Sequence, residues 1–172
     1  MPNQETPPSS ARRSSRGWRI FWFALAALAV VAADQASKAA VIANIQPYSV
    51  HQILGPILSF TNVSNNSAAF SLGFGVTWIF TLLSALAALA LLWFGPRMRT
   101  LGWALLAGTA LGGIVGNLID RLTRAPGFPN GMVVDFIQIP FNFPIFNIAD
   151  SAICVTAFIV VIRVARGQKL GG

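Results

Sequence analysis

The chain has 172 residues, of which 55% are hydrophobic and only 10% are charged, whereas a soluble domain carries about 25% charged residues. This composition excludes an ordinary soluble enzyme and indicates one small integral membrane domain. The net charge of +7 does not indicate nucleic-acid binding, because the arginines and lysines cluster at the ends of apolar runs, as membrane topology requires.

The N-terminal part combines a polar tail with an apolar run. Residues 1–17 are rich in proline, serine and arginine and are predicted to form a disordered, basic, cytoplasmic tail. A first membrane span is predicted at about residues 18–37, because twenty helical residues cover about 30 Å of bilayer. The alternative is the apolar core of a cleaved signal peptide. It would leave the following DQASK as an N-terminus without evident purpose.

The next stretch, residues 39–96, contains no Lys, Arg, Asp or Glu and is too long for a single helix. Its first part, about residues 45–67, combines turn residues with β-branched and aromatic residues, which predicts a small β element outside the membrane. The second span is predicted at about residues 70–94, where it stops before Gly95-Pro96.

Two further spans are predicted at about residues 100–119 and 145–164, separated by an outer loop at about 121–144. Gly108, Gly112 and Gly116 recur every four residues, which predicts a smooth helix face for close packing. Residues 167–172 form a short C-terminus. Basic residues gather in the tail, between spans two and three, and at the C-terminus, so the positive-inside rule makes both termini cytoplasmic. The predicted fold class is an all-α membrane protein with four transmembrane helices and a small extracytoplasmic β element.

Four of the five acidic residues lie within or beside the apolar stretches: Asp34, Asp120, Asp135 and Asp150. A carboxylate at membrane depth is costly and is normally kept for a partner, an ion path or chemistry. The predicted topology places all four at the outer face of the membrane. Three amide residues accompany them: Asn65, Asn117 and Asn147.

Two neighbouring carboxylates cannot both ionise easily, so one can act as general base and the other as general acid on a water that attacks a peptide bond. Such chemistry requires no metal or cofactor, and the single cysteine and single histidine exclude metal motifs that need two of either. Asp135, on a loop, and Asp150, on a helix, are the favoured pair.

The other two acids suit structural ion pairs. Asp34 precedes Lys38 by four residues, so the two side chains share a helix face. Asp120 is followed directly by Arg121, which suggests a second pair.

Five sequence blocks, in this order, resemble the lipoprotein signal peptidases (signal peptidase II). They are DQASK at 34–38, NNSAAFS at 65–71, GGIVGNLIDR at 112–121, VVDF at 133–136 and FNIADSA at 146–152. The resemblance implies a bacterial inner-membrane aspartic peptidase domain over residues 18–166. Such enzymes remove the signal peptide of prolipoproteins by cutting before a diacylglyceryl-modified cysteine. Ser67 stands where the family usually has glycine.

The resemblance also implies roles for single residues. Asp135 and Asp150 match the family's catalytic dyad, in agreement with the choice made from chemistry. The residues expected to bind substrate or shape the site are Asp34, Lys38, Asn65, Asn117, Asp120, Arg121 and Asn147. The expected partners are prolipoproteins and membrane lipid, without nucleic acid, metal or cofactor, and a monomer is expected.

Two other functions fit four aspartates in a membrane protein. A small proton-coupled transporter would use them as a proton relay, but it would place them near the midplane, within reach of both faces. A non-catalytic scaffold would tolerate asparagine in place of Asp135 and Asp150.

Overall fold

The computed structural model describes residues 15–66 and 77–171. Its helices are α1 (Arg16–Asn44), α2 (Thr77–Phe94), α3 (Leu101–Thr123) and α4 (Ile148–Ala165), and its strands are β1 (Val50–Leu54), β2 (Leu58–Asn65) and β3 (Val133–Gln138). The 3-10 turn Gly95–Arg97 extends α2, and all four helices are long and apolar enough to cross a membrane. The predicted fold class is therefore confirmed.

Some predictions concern residues outside the described ranges. They are most of the tail at 1–17, the start of the second span at 70–76, and Ser67 with the rest of its block beyond residue 66.

Helix α1 is longer at both ends than the predicted span at 18–37. It begins at Arg16, where the Ser15 side chain caps it by accepting a hydrogen bond from the Trp18 N–H at 3.2 Å. It continues past Asp34 and Lys38 to Asn44. Both charged side chains are buried inside the protein, so they do not end the helix. With 29 residues it reaches ~43 Å, longer than the ~30 Å hydrocarbon core.

Helix α3 is the centre of the bundle, since it packs against α1, α2 and α4. The predicted smooth face lies against α1. A Cβ atom at Gly108 would collide with the backbone oxygen of Phe23, and one at Gly112 would lie 2.6 Å from the backbone oxygen of Ala27. The glycine spacing therefore allows two helix backbones to approach closely, as predicted.

The sheet is antiparallel in the order β1-β2-β3. Strand β3 lies within 121–144, which the sequence predicted as a loop. Its first four residues are all buried, so it lacks the alternation that marks a half-exposed strand. Its partner β2, with Val63 opposite Asp135, precedes it by some seventy residues. The β element is thus larger than residues 45–67, and it carries a candidate catalytic aspartate.

Candidate active site

Asp135 of β3 and Asp150 of α4 are held by one residue between them. The side-chain Nδ2 of Asn147 donates to Asp135 Oδ1 at 2.8 Å, and the backbone N–H of Asn147 donates to Asp150 Oδ2 at 3.1 Å. Asp135 and Asn147 are buried, and Asp150 is half-buried. The two carboxyl groups chosen from the sequence are therefore brought into one site.

The start of helix α4 explains this arrangement. Asn147 is the N-cap residue, and its Oδ1 accepts a hydrogen bond from the Asp150 N–H at 2.9 Å. The Asp150 carboxylate accepts in return from the Asn147 N–H, which completes a capping box. The three-residue spacing thus fixes the Asp150 side chain against the first turn of its own helix.

The remaining oxygen of each carboxyl group is bound by another amide. Asn65 Nδ2 donates to Asp135 Oδ2 at 2.8 Å, and Asn117 Nδ2 donates to Asp150 Oδ1 at 2.7 Å. A carboxylate oxygen has two acceptor positions, so each oxygen retains capacity for a water molecule. All three predicted amide residues therefore belong to the site.

A fully buried ionic cluster lies beside the pair. Lys38 Nζ is 2.8 Å from Asp34 Oδ2 and 2.8 Å from Asp120 Oδ2, and all three side chains have 0% exposure. The predicted pair of Asp34 and Lys38 is confirmed. Burial of these charges is tolerable only because each is paired and hydrogen-bonded.

Asn117 connects this cluster to the pair. Its Oδ1 accepts from Lys38 Nζ at 2.9 Å and from Asn147 Nδ2 at 3.1 Å. An ammonium group can only donate, so it fixes the amide oxygen of Asn117 toward Lys38. The amide nitrogen consequently points to Asp150.

Asp34 and Asp120 each hold the element that carries a member of the pair. Asp34 Oδ1 accepts from the N–H of Ala149 in the first turn of α4 at 3.0 Å. Asp120 Oδ2 accepts from the N–H of Val134 in β3 at 3.2 Å. A carboxylate at a helix N-terminus is also favoured by the helix dipole. Each acid therefore binds the backbone of an element that carries a member of the pair.

Asp120 makes an ion pair that the sequence did not predict. The ion pairs of Asp120 are made with Lys38 and with Arg124, whose Nε lies 2.7 Å from Asp120 Oδ1. Arg124 is four residues along the helix and shares a face with Asp120, whereas adjacent residues diverge. The guanidinium of Arg121 lies 5.6 Å from the ring centroid of Phe80, and its charge interacts with Asp135, Asp150 and Asp120.

The proton affinity of Asp135 is unusual for a carboxyl group. Its pKa is raised from 3.8 to about 7, chiefly by burial; the neighbouring Asp150 also raises the pKa, whereas hydrogen bonds from Asn65 and Asn147 lower it. Desolvation disfavours the charged form, which is why burial dominates. A carboxyl group that keeps a proton near neutral pH can serve as a general acid.

Sequence reasoning missed one member of the site. Gln35 Nε2 lies 3.1 Å from Asp34 Oδ2, 3.2 Å from Asp120 Oδ1 and 3.0 Å from the Gly116 backbone oxygen. The signal was available, because a glutamine within an apolar span needs a partner. Gln35 thus links Asp34 to Asp120. The four acids meet at one end of the bundle, as predicted.

Comparisons with known proteins identify the family of this chain. The sequence model of one protein family, described as signal peptidase (SPase) II, matches residues 26–166. A lipoprotein signal peptidase from Leifsonia xyli subsp. xyli is 42% identical over 99% of this chain and 78% of its own length. One from Rhodococcus jostii is 36% identical over 99% and 84%. A solved bacterial membrane enzyme is 28% identical, with a TM-score of 0.76 over 84% of this chain and 87% of its own.

Proposed function

This chain belongs to the signal peptidase II family of aspartic peptidases and removes signal peptides from prolipoproteins, and we propose that Asp135 and Asp150 perform the hydrolysis. The observation that carries the proposal is the position of Asn147, which binds both carboxyl groups and holds them in one site. Two carboxyl groups so placed can share one proton and a water molecule.

The reaction follows from that shared proton. The ionised carboxylate takes a proton from the water as its oxygen attacks the scissile carbonyl carbon, and the protonated carboxyl gives its proton to the carbonyl oxygen. Collapse of the tetrahedral intermediate breaks the C–N bond, and the leaving amine takes up a proton from the pair. Which aspartate carries the proton is a property of the coupled pair.

The surrounding residues position the dyad in this proposal. Asn65 and Asn117 each bind one carboxyl group, and Lys38 orients Asn117. Asp34 and Asp120 hold α4 and β3 in place. Arg121 lies beside the site, and its charge interacts with both aspartates of the pair.

The substrate is a prolipoprotein whose cysteine already carries diacylglycerol, and the cut falls just before that cysteine. The dyad lies at one end of the helices, beside the sheet, so the lipid can stay in the bilayer while the peptide bond meets water. The enzyme acts as a monomer in the bacterial inner membrane, with both termini cytoplasmic and the site facing the extracytoplasmic side. The basic residues at the opposite helix ends support this orientation.

Cleavage of a diacylglyceryl-modified prolipoprotein by the purified protein in detergent, with a chelator present, tests the proposal. Asp135→Asn and Asp150→Asn keep the side-chain size but remove the acid. Each is expected to lower kcat by about 10²–10⁴-fold. Glu5→Gln, a matched change in the tail, should leave activity unchanged. Activity that survives either dyad substitution in a folded variant would remove that residue from the mechanism.

A further inference from the structure

A polar pocket lies on the face of the sheet opposite Asp135. Ser64 of β2 and Val134 of β3 line it and stand opposite each other in the ladder. The adjacent pair in the ladder is Val63 with Asp135. Successive side chains of a strand point to opposite faces, so the pocket and the Asp135 carboxyl group lie on different faces of the sheet. The pocket has a volume of about 550 Å³, which is within the ~300–1,000 Å³ of small-molecule sites.

The ends of two helices complete this pocket. Ile42 lies near the end of α1, Thr123 is the last residue of α3, and Arg124 follows it. Met132 adds apolar surface, and the described residues that line the pocket include no aspartate or glutamate. The pocket therefore combines apolar side chains with a cation, which suits a ligand that has both an apolar part and a negative charge.

Arg124 presents its charge to the pocket. Its Nε lies 2.7 Å from Asp120 Oδ1, but the Asp120 side chain is 0% exposed whereas that of Arg124 is 26% exposed. Only the positive member of the pair therefore meets solvent. Within residues 15–66 and 77–171, the two terminal nitrogens of Arg124 make no hydrogen bond. Together they form a planar fork of N–H groups that matches the oxygens of a phosphate.

The pocket lies at the depth of lipid headgroups. Trp18 packs against Phe21 and Trp22 near the start of α1, and aromatic side chains of this kind gather at a membrane interface. About twenty residues of helix, or ~30 Å, separate Trp18 from Lys38, which equals the thickness of the hydrocarbon core. Ile42 lies ~6 Å further along the helix. The pocket is therefore level with the headgroups of the second leaflet.

We propose that this pocket binds the headgroup of an anionic phospholipid, with its phosphate on the terminal nitrogens of Arg124. The Ser64 hydroxyl lines the same pocket and donates a second hydrogen bond to the phosphate. The acyl chains pass over Ile42, which is 45% exposed, into the bilayer. A headgroup that carries an amine gains nothing extra, because no described carboxylate lines the pocket to receive it.

The bound lipid acts on the fold through Asp120. This carboxylate accepts from Arg124 with one oxygen and from the Val134 N–H of β3 with the other. A phosphate on the far side of the guanidinium group restrains Arg124 and with it this connection. A ligand that binds only the folded protein raises its melting temperature, so anionic lipid is expected to stabilise the protein.

Photocrosslinking in detergent tests the location. The probe is phosphatidylglycerol with a photoreactive group on its headgroup glycerol, and peptide mapping identifies the crosslinked residues. Crosslinks are expected within residues 42–48 and 123–134. Arg124→Gln removes the fork and should weaken labelling of these residues about tenfold. Arg99→Gln, at an exposed position near the other helix ends, should leave it unchanged. Crosslinks confined to those other ends would overturn the proposal.

A second variant separates the pocket from the ion pair. Ser64→Leu fills the pocket but leaves the contact between Arg124 and Asp120 in place, so it should also reduce the labelling. Ser59→Leu, on the same strand but outside the pocket, is the matched control. Labelling that is lost in Arg124→Gln but retained in Ser64→Leu would show that the lipid does not enter the pocket, and would overturn the proposal.

Competition identifies the chemistry of the ligand. Unlabelled phosphatidylglycerol should displace the probe, whereas glycerol phosphate and inorganic phosphate at the same concentration should not. Displacement by either free phosphate would show a site for a soluble anion, and equal labelling by photoreactive phosphatidylcholine would show that charge is not recognised. Either result would overturn the proposal. Labelling requires no turnover, so its failure leaves the proposed hydrolysis intact, and loss of cleavage leaves the lipid site intact.

Discussion

At the scale of single residues, Asn147 combines a helix cap with the alignment of the dyad. Asn147→Ala removes the cap, at a cost of about 1 kcal/mol, and also the donor to Asp135. We expect kcat to fall by roughly 10–100-fold, because a small misplacement of catalytic groups is costly. Thr100→Ala is the matched control, since the Thr100 side chain caps α3 by accepting from the Trp103 N–H at 3.4 Å. Equal kcat losses in both variants would show that capping alone explains the effect.

The pKa of Asp135 predicts how activity depends on pH. Catalysis requires one proton in the pair, so activity should decline as pH rises through about 7, the raised pKa of Asp135. Asn65→Ala removes a hydrogen bond that lowers this pKa and should therefore move the alkaline limb of the kcat profile to higher pH. A limb that stays in place, or moves to lower pH, would contradict this assignment.

The raised pKa of Asp135 also makes the stability of the folded protein depend on pH. The folded-state pKa of Asp135 lies above the ordinary value of 3.8, so folding favours the protonated form. The stability that this protonated group contributes is fully present below about pH 3.8 and is lost as the pH rises through about 7.

At the scale of elements, the Lys38 cluster joins α1 to α3, and its acids hold α4 and β3. Lys38→Met would leave the buried carboxylates of Asp34 and Asp120 without their shared cation, which should destabilise the protein by about 3–5 kcal/mol. Thermal unfolding in detergent measures the loss, with Lys169→Met at an exposed position as control. A Lys38→Met protein as stable as the parent would show that the cluster is not needed for folding.

The close approach of α1 and α3 also positions the site. A Cβ atom at Gly116 would lie 2.7 Å from Asp34 Oδ2, so Gly116→Ala must displace the carboxylate that holds the start of α4. We expect a stability loss of about 1–3 kcal/mol together with reduced kcat. Gly17→Ala, where no described residue lies within 4 Å of the added Cβ atom, should cause neither. Unchanged kcat in Gly116→Ala would show that Asp34 does not position the dyad.

At the scale of the whole molecule, the site is assembled from α1, α3, α4, β2 and β3, and each contributes a side chain that the others orient. Its acids lie at one end of the bundle, which is the position that distinguishes a surface-facing peptidase from a transporter with acids at the midplane. Family membership agrees with the peptidase.

The sequence by itself determined the membrane class, four spans and the family, and it named the two acids that we propose as the dyad. These follow from local properties, namely hydropathy over about twenty residues and polar residues that are costly in lipid. Only the tertiary structure decided that β3 pairs with β2, that Lys38 reaches Asp120 and Asn117, and that Arg124 forms an ion pair with Asp120. Strand pairing and the reach of buried side chains depend on how distant segments pack, and a linear pattern does not encode that directly.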